Sequence, residues 1–165
     1  VLSLTSIMSG PGGDDAVSPL PEGADVLMRI PPPTREGRIE HGLWIRRTLK
    51  GPGDPFDDVM EARQVERAYD RSYYPVGTGR QLVAILAAQS RMEKLSRIKV
   101  PTLVIHGTDD VLVPVENGRR VAKAIPGARL LEFEHMGHNL PERVWPQVLD
   151  AIEELTRQAS VPQPH

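Results

Sequence analysis

The chain has 165 residues, a formal net charge of −2, sixteen prolines and 4% aromatic residues, a length that suffices for a core of its own. The charge offers no footing for nucleic acid or an anionic membrane, and no apolar run approaches the roughly 18 residues needed to span a bilayer. The absence of cysteine excludes disulfides, thiolate metal sites and a cysteine nucleophile together.

Residues 1–9 alternate apolar and small polar side chains and are rich in β-formers, which predicts a buried or half-buried strand. The stretch has no basic segment before it and no small-residue cleavage site after it. It makes a poor signal peptide, and the expected location is the cytoplasm. Gly10-Pro11-Gly12-Gly13 ends the strand, and the chain is loop-rich as far as Thr34, with room for a short helix around Ala24–Ile30. A helix is predicted over Arg35–Leu49, broken by Gly51-Pro52-Gly53-Asp54-Pro55. Phe56–Tyr74 is the next helix, with Asp57 and Asp58 near its start and Pro75 as its stop. Arg80–Met92 follows as a helix with a broad apolar face at Leu82, Ile85 and Leu86.

Beyond Lys99 the pattern changes. Thr102-Leu103-Val104-Ile105 is a short continuous apolar run, as in a parallel strand covered on both faces. A helix over Val115–Ile125, a strand over Ala128–Phe133 and a helix from about Pro141 to Gln158 complete a strand–helix–strand–helix series. The last helix carries Val144, Trp145, Val148, Ile152 and Leu155 on one face. The expected organisation is a core strand in 1–13, a helical cap or lid in 14–76, a C-terminal α/β core in 77–159 and a disordered tail in 160–165.

Ligands of parallel α/β sheets bind beyond the carboxyl ends of the strands. Two segments place polar groups there: His106-Gly107-Thr108-Asp109-Asp110 after one strand, and His135-Met136-Gly137-His138 after the next. Strands joined by one crossover helix tend to be neighbours, so their trailing loops can meet. An acid on one loop and a histidine on the other supply the orienting and base members of a Ser-His-Asp relay.

The stretch VPTLVIHGTDDVLVPVENGRRVAKAIPGARLLEFEHMGHNLP resembles the C-terminal part of the α/β-hydrolase superfamily. In that family the acid stands at the fourth position of a Gly-x-x-Asp turn and the histidine in a Gly-His pair after the last strand. The resemblance therefore selects Asp110 over Asp109 and His138 over His135. The segments SLTSIMS and YDRSYYPVGTGRQLVAILAAQSR resemble the strand after the nucleophile helix and the helix returning from the cap. Taken together the chain is most similar to bacterial hydrolases of the anthracycline (aclacinomycin) methylesterase type. The implied fold is the C-terminal portion of a parallel α/β sheet with flanking helices and an inserted helical cap. The implied activity of the parent is hydrolysis of an apolar small-molecule ester, with no cofactor and no metal.

One element of the pattern is missing. None of the eight serines has a glycine two residues before it, so no Gly-x-Ser-x-Gly elbow is present, and the glycine-rich oxyanion loop is absent too. The expectation is a C-terminal fragment, inactive alone, whose parent holds the nucleophile upstream. Epoxide hydrolases, dehalogenases, C–C bond hydrolases and haloperoxidase-like members keep a similar acid and histidine and stay open as alternatives, as does a non-catalytic binding protein. Other readings of single residues are weighed alongside. His135, His138 and Asp110 have the residue types of a 2-His-1-carboxylate metal site. His106 is expected to pack near the sheet edge. Tyr69, Tyr73 and Tyr74 are expected to pack in the core, with a cap-lined apolar pocket as the alternative. Met8 and Met136 are expected as core filler, with a substrate pocket as the alternative. Arg46-Arg47 and Arg119-Arg120 are expected to be solvated.

Overall fold

A computed structural model describes residues 1–160. In chain order it contains β1 (Leu4–Ile7), α1 (Pro21–Met28), α2 (Arg35–Leu49), α3 (Asp58–Arg71) and α4 (Pro75–Leu86). Then come α5 (Met92–Leu95), β2 (Thr102–Gly107), α6 (Val115–Ala124), β3 (Arg129–Phe133) and α7 (Trp145–Ser160). The expected disordered tail lies outside the described residues, apart from Ser160, which closes α7.

The three strands form one parallel sheet in the order β1-β2-β3. Ile7 pairs with Ile105, and Ile105 in turn with Leu131. Every residue of β2 is buried. Leu103 and Ile105 join Phe133, Met136, Val144, Val148 and Leu155 on the face covered by α7. Val104 turns the other way, onto Val121 of α6 and Ile125. A strand roofed on both faces needs apolar side chains at successive positions, which explains the unbroken run in the sequence. β1 lies at the edge and is only partly buried, with Ile7 packed on one core cluster and Leu4 on the other.

The helical segment between β1 and β2 is built around an antiparallel pair. Arg35 of α2 bonds Asp70 of α3 through Nε at 3.0 Å and Nη2 at 2.7 Å, and at the opposite end Arg46 pairs with Glu61 and Arg47 with Asp58. Arg46 and Arg47 are solvated, as expected, and in addition pair across the two helices. Thr34 caps α2 by accepting from the Gly37 amide, and Asp57 caps α3 by accepting from Val59 and Met60.

Several boundaries differ from expectation. Pro75 does begin a new element, but as the first-turn proline of α4, where its missing N–H costs nothing. The helix expected over Arg80–Met92 is therefore shifted toward the N-terminus and ends at Leu86. For the same reason α1 starts at Pro21, not at Ala24. Core packing of the tyrosines is not observed. Tyr73 and Tyr74 lie past the end of α3 and are exposed, with Tyr73 stacked 4.7 Å from Tyr69 and covered by the Arg38 guanidinium at 4.5 Å. Trp145, assigned to the buried face of the last helix, is half exposed and spends its indole N–H on the Leu140 carbonyl at 2.9 Å.

Leu103→Ala removes a fully buried side chain from the centre of the sheet and is expected to lower unfolding free energy by about 2–5 kcal/mol in denaturant melts. A pH effect follows from α6 and β3. Arg119 grips Glu132 at 2.7 and 2.8 Å and holds its carboxyl below the ordinary value of 4.5, the hydrogen bond being the main cause. The carboxylate form is favoured by folding, so the gain is present above that value and lost as pH falls through the depressed one. Because the pair is largely solvated, Glu132→Gln should cost no more than about 1 kcal/mol at neutral pH, and the difference from wild type should vanish in acid.

Candidate active site

The loops after β2 and β3 meet at the carboxyl edge of the sheet. Asp110 is only 2% exposed, yet both of its oxygens are engaged. Oδ1 accepts from the backbone amides of Leu112 at 2.9 Å and Val113 at 2.8 Å. Oδ2 accepts from His138 Nδ1 at 2.7 Å. Asp110 thus holds a turn and a histidine at once, one oxygen serving each. Burying a carboxylate is costly unless donors replace its water, and three well-placed donors do so here.

A carboxylate can only accept, so the proton of this contact sits on His138 Nδ1. Nε2 is left with its lone pair and has no partner among the described residues. The side chain is about a quarter exposed, so that nitrogen is open to a reacting group. This is the tautomer and the orientation that a general base requires.

Backbone contacts fix the two loops against each other. Thr108 N donates to Phe133 O at 3.0 Å, and Asp109 N donates to Met136 O at 3.0 Å. A Cβ at Gly107 would stand 2.1 Å from Met136 O, so only glycine permits the approach. The helical segment then closes over both. His138 N donates to Leu49 O at the end of α2 at 2.8 Å, Gly53 N donates to His135 O at 3.1 Å, and Leu20 N donates to Val111 O at 2.9 Å. Asn117 of α6 is 1% exposed and grips Val17 through both its amide atoms, at 2.8 and 2.9 Å. These cross-links were not anticipated from the sequence. Only the glycine-rich spacing at 51–53 hinted at a tight turn there.

The remaining candidates separate cleanly. His135 turns away from Asp110 and stands 3.7 Å from Asp109, whose Oδ2 also accepts from Thr108 Oγ1 at 2.7 Å. Its backbone is left-handed, at φ 59°, and is held by bonds at both its amide and its carbonyl. Among the described residues no group of three or more His, Asp or Glu stands close enough to hold a metal ion. Met136 is fully buried core and Met8 packs beside it. His106 packs, as expected, at the carboxyl edge of the sheet, fully buried with Nε2 3.6 Å from Asp110 Oδ2. A cleft of about 370 Å³ runs along the outer side of β1, lined by Leu4, Ile7, Leu95, Val121 and Ile125, away from the Asp110–His138 pair.

Residues 45–142 match the family model for the alpha/beta hydrolase fold. The chain belongs to that family. Rhodomycin D methylesterase DnrP of Streptomyces peucetius is 33% identical over 156 residues, covering 90% of this chain and 52% of that protein. A 2-hydroxy-6-oxononadienedioate/2-hydroxy-6-oxononatrienedioate hydrolase of Cupriavidus pinatubonensis is 31% identical over 136 residues, covering 78% of this chain and 44% of that one. Among solved structures, the meta-cleavage product hydrolase CumD of Pseudomonas fluorescens superposes with a TM-score of 0.71 at 18% identity, covering 94% of this chain and 56% of that one. The hydrolase-fold chain thus spans about half the length of the curated relatives it matches. Within the described residues, no helix is long and apolar enough to cross a membrane.

The site's dependence on close backbone approach can be measured. A Cβ at Gly137 would stand 2.2 Å from Leu49 O, whereas one at Gly79 in α4 would meet nothing within 4 Å. Gly137→Ala is expected to cost about 1–3 kcal/mol in a denaturant titration, and Gly79→Ala to be neutral or stabilising by up to about 1 kcal/mol.

Proposed function

We propose that this chain supplies the acid and the base of a serine carboxylic-ester hydrolase, with Asp110 and His138 as two members of its catalytic triad. The observation that carries the reading is the 2.7 Å contact between His138 Nδ1 and a buried Asp110 whose other oxygen is already fixed by two amides. The nucleophile and the oxyanion donors belong, in this reading, to a part of the whole protein outside these 165 residues, which contain no Gly-x-Ser-x-Gly elbow. On its own the chain then lacks the attacking atom and is inactive.

In the reaction the serine oxygen attacks the ester carbonyl and His138 Nε2 takes its proton. The imidazolium that forms is stabilised by Asp110 and returns the proton to the departing alcohol. Water, deprotonated by the same nitrogen, then releases the acid from the acyl-enzyme. The residue types and the separate anchorage of each loop suit this cycle, because the ring must keep one orientation through two proton transfers.

Residues 14–76 act as a cap over the site in this proposal. Support comes from the hydrogen bonds that tie Leu20 to the acid loop and Leu49 to the histidine loop. The exposed Leu27, Met28 and Ile30 at the end of α1 suit an apolar substrate. Similarity to a methylesterase favours an ester with a small alcohol group, and similarity to a dienedioate hydrolase keeps C–C bond cleavage as the second reading.

The test is steady-state kinetics of the full-length protein on methyl and nitrophenyl esters of apolar acids. His138→Ala and Asp110→Asn should each lower kcat by about a thousandfold or more while the fold survives. Turnover within tenfold of wild type for either variant would remove that residue from the relay. Cleavage of a vinylogous diketone in preference to every ester would move the assignment to the second reading.

A further inference from the structure

His106 is the one buried titratable side chain near the site to which the proposed reaction gives no task. Its ring is fully buried at the carboxyl end of β2, directly under the turn that carries Asp110. Nε2 lies 2.7 Å from the Val113 carbonyl oxygen and 3.6 Å from Asp110 Oδ2. A carbonyl only accepts, so the proton is on Nε2 and is donated to Val113. Nδ1 is buried and has no hydrogen-bond partner. It faces α6 at Gly118, where a Cβ would stand 2.3 Å away. A ring with one nitrogen bonded and the other stranded beside a helix backbone is confined to one orientation.

An apolar residue would fill the same space without stranding a polar atom, so packing alone does not account for a histidine. The Nε2–H bond does. Val113 is held from both sides: its amide donates to Asp110 Oδ1, and its carbonyl accepts from His106. Pro114 follows directly, so the residue is also restricted in ψ. The bond therefore pins the far end of the turn that clasps Asp110, and it sets an N–H dipole beside the oxygen that receives His138.

We propose that His106 is a positioning residue: its Nε2–H bond to the Val113 carbonyl locks the turn that aims Asp110 Oδ2 at His138. The functional consequence rests on the hydrolase reading above, whereas the structural claim concerns only the Asp110–His138 hydrogen bond. The two can fail separately, because the bond can be read without turnover. A ring N–H donated to a buried carboxylate gives a far-downfield proton resonance, assignable to His138 by its loss in His138→Ala.

The experiment uses full-length protein, with proton spectra, kinetics and thermal melts on three variants. His106→Phe keeps the volume and removes the donor. His106→Gln returns an N–H near the position of Nε2. Gly118→Ala pushes the ring aside and leaves it chemically intact. The downfield resonance should be lost or broadened in His106→Phe and in Gly118→Ala, and recovered in His106→Gln. The kcat should follow it, falling at least about tenfold with KM within about twofold, since small misplacements of a catalytic group act on the chemical step. A sharp, unshifted resonance in folded His106→Phe would overturn the proposal. Should that variant not fold, the same result in Gly118→Ala would overturn it, and loss of the resonance there with recovery in His106→Gln would support it. An intact hydrogen-bond signal in wild type, with turnover indifferent to His138→Ala, would sink the hydrolase reading and leave this one standing.

Discussion

The burial of the Asp110 carboxylate is the constraint around which the carboxyl edge of the β2–β3 pair is arranged. A carboxylate shut away from water is tolerated only when donors replace its hydration, and the donors here come from two sources of unequal reach. The amides of Leu112 and Val113 are local and would form in any turn of this shape. The imidazole N–H of His138 comes from the next loop, so the third bond exists only when β2 and β3 are paired and in register. Assembly of the sheet and assembly of the pair are therefore one event.

The same coupling extends outward to the helices. The histidine loop would be free to swing if only His138 Nδ1 were held. Its backbone is fixed by Leu49 at the end of α2, and its neighbour His135 by Gly53 and Thr108. The acid loop is fixed by Leu20 on its outer side and by Met136 and Phe133 on its inner side. Each loop thus touches both the other loop and the helical segment. This triangular bracing holds a 2.7 Å contact between side chains on different elements and leaves Nε2 uncovered.

Much of this was legible beforehand, for identifiable reasons. The apolar run at 102–105 is a local pattern that marks β2 directly, and the family resemblance carried by the Gly-x-x-Asp and Gly-His placements singles out Asp110 and His138, which the structure brings to 2.7 Å. Helix α2 was found with its ends in place because Thr34 and Gly51 punctuate it. The misreadings also have a common cause. Pro75 is read in the sequence as a stop and Pro21 falls in a stretch read as loop, but each sits in a first turn, where proline is favoured, so α1 and α4 begin earlier than expected. The three tyrosines are expected in the core, yet Arg35 and Arg38 of α2 cover Tyr69 and Tyr73 from the solvent side and Tyr74 is exposed.

The sequence by itself determined the α/β class and the parallel character of β2, because each depends on residue types within a few positions of one another. Only the tertiary structure decided that Asp110 serves a turn and an imidazole at once, that His106 lies beneath it as a fixed donor, and that Leu20, Leu49 and Asn117 brace the two loops. Those contacts join backbone and side-chain atoms from segments far apart in the chain. A carbonyl offers the same hydrogen bond whatever residue bears it, so the amino-acid letters carry no mark of which one will be chosen.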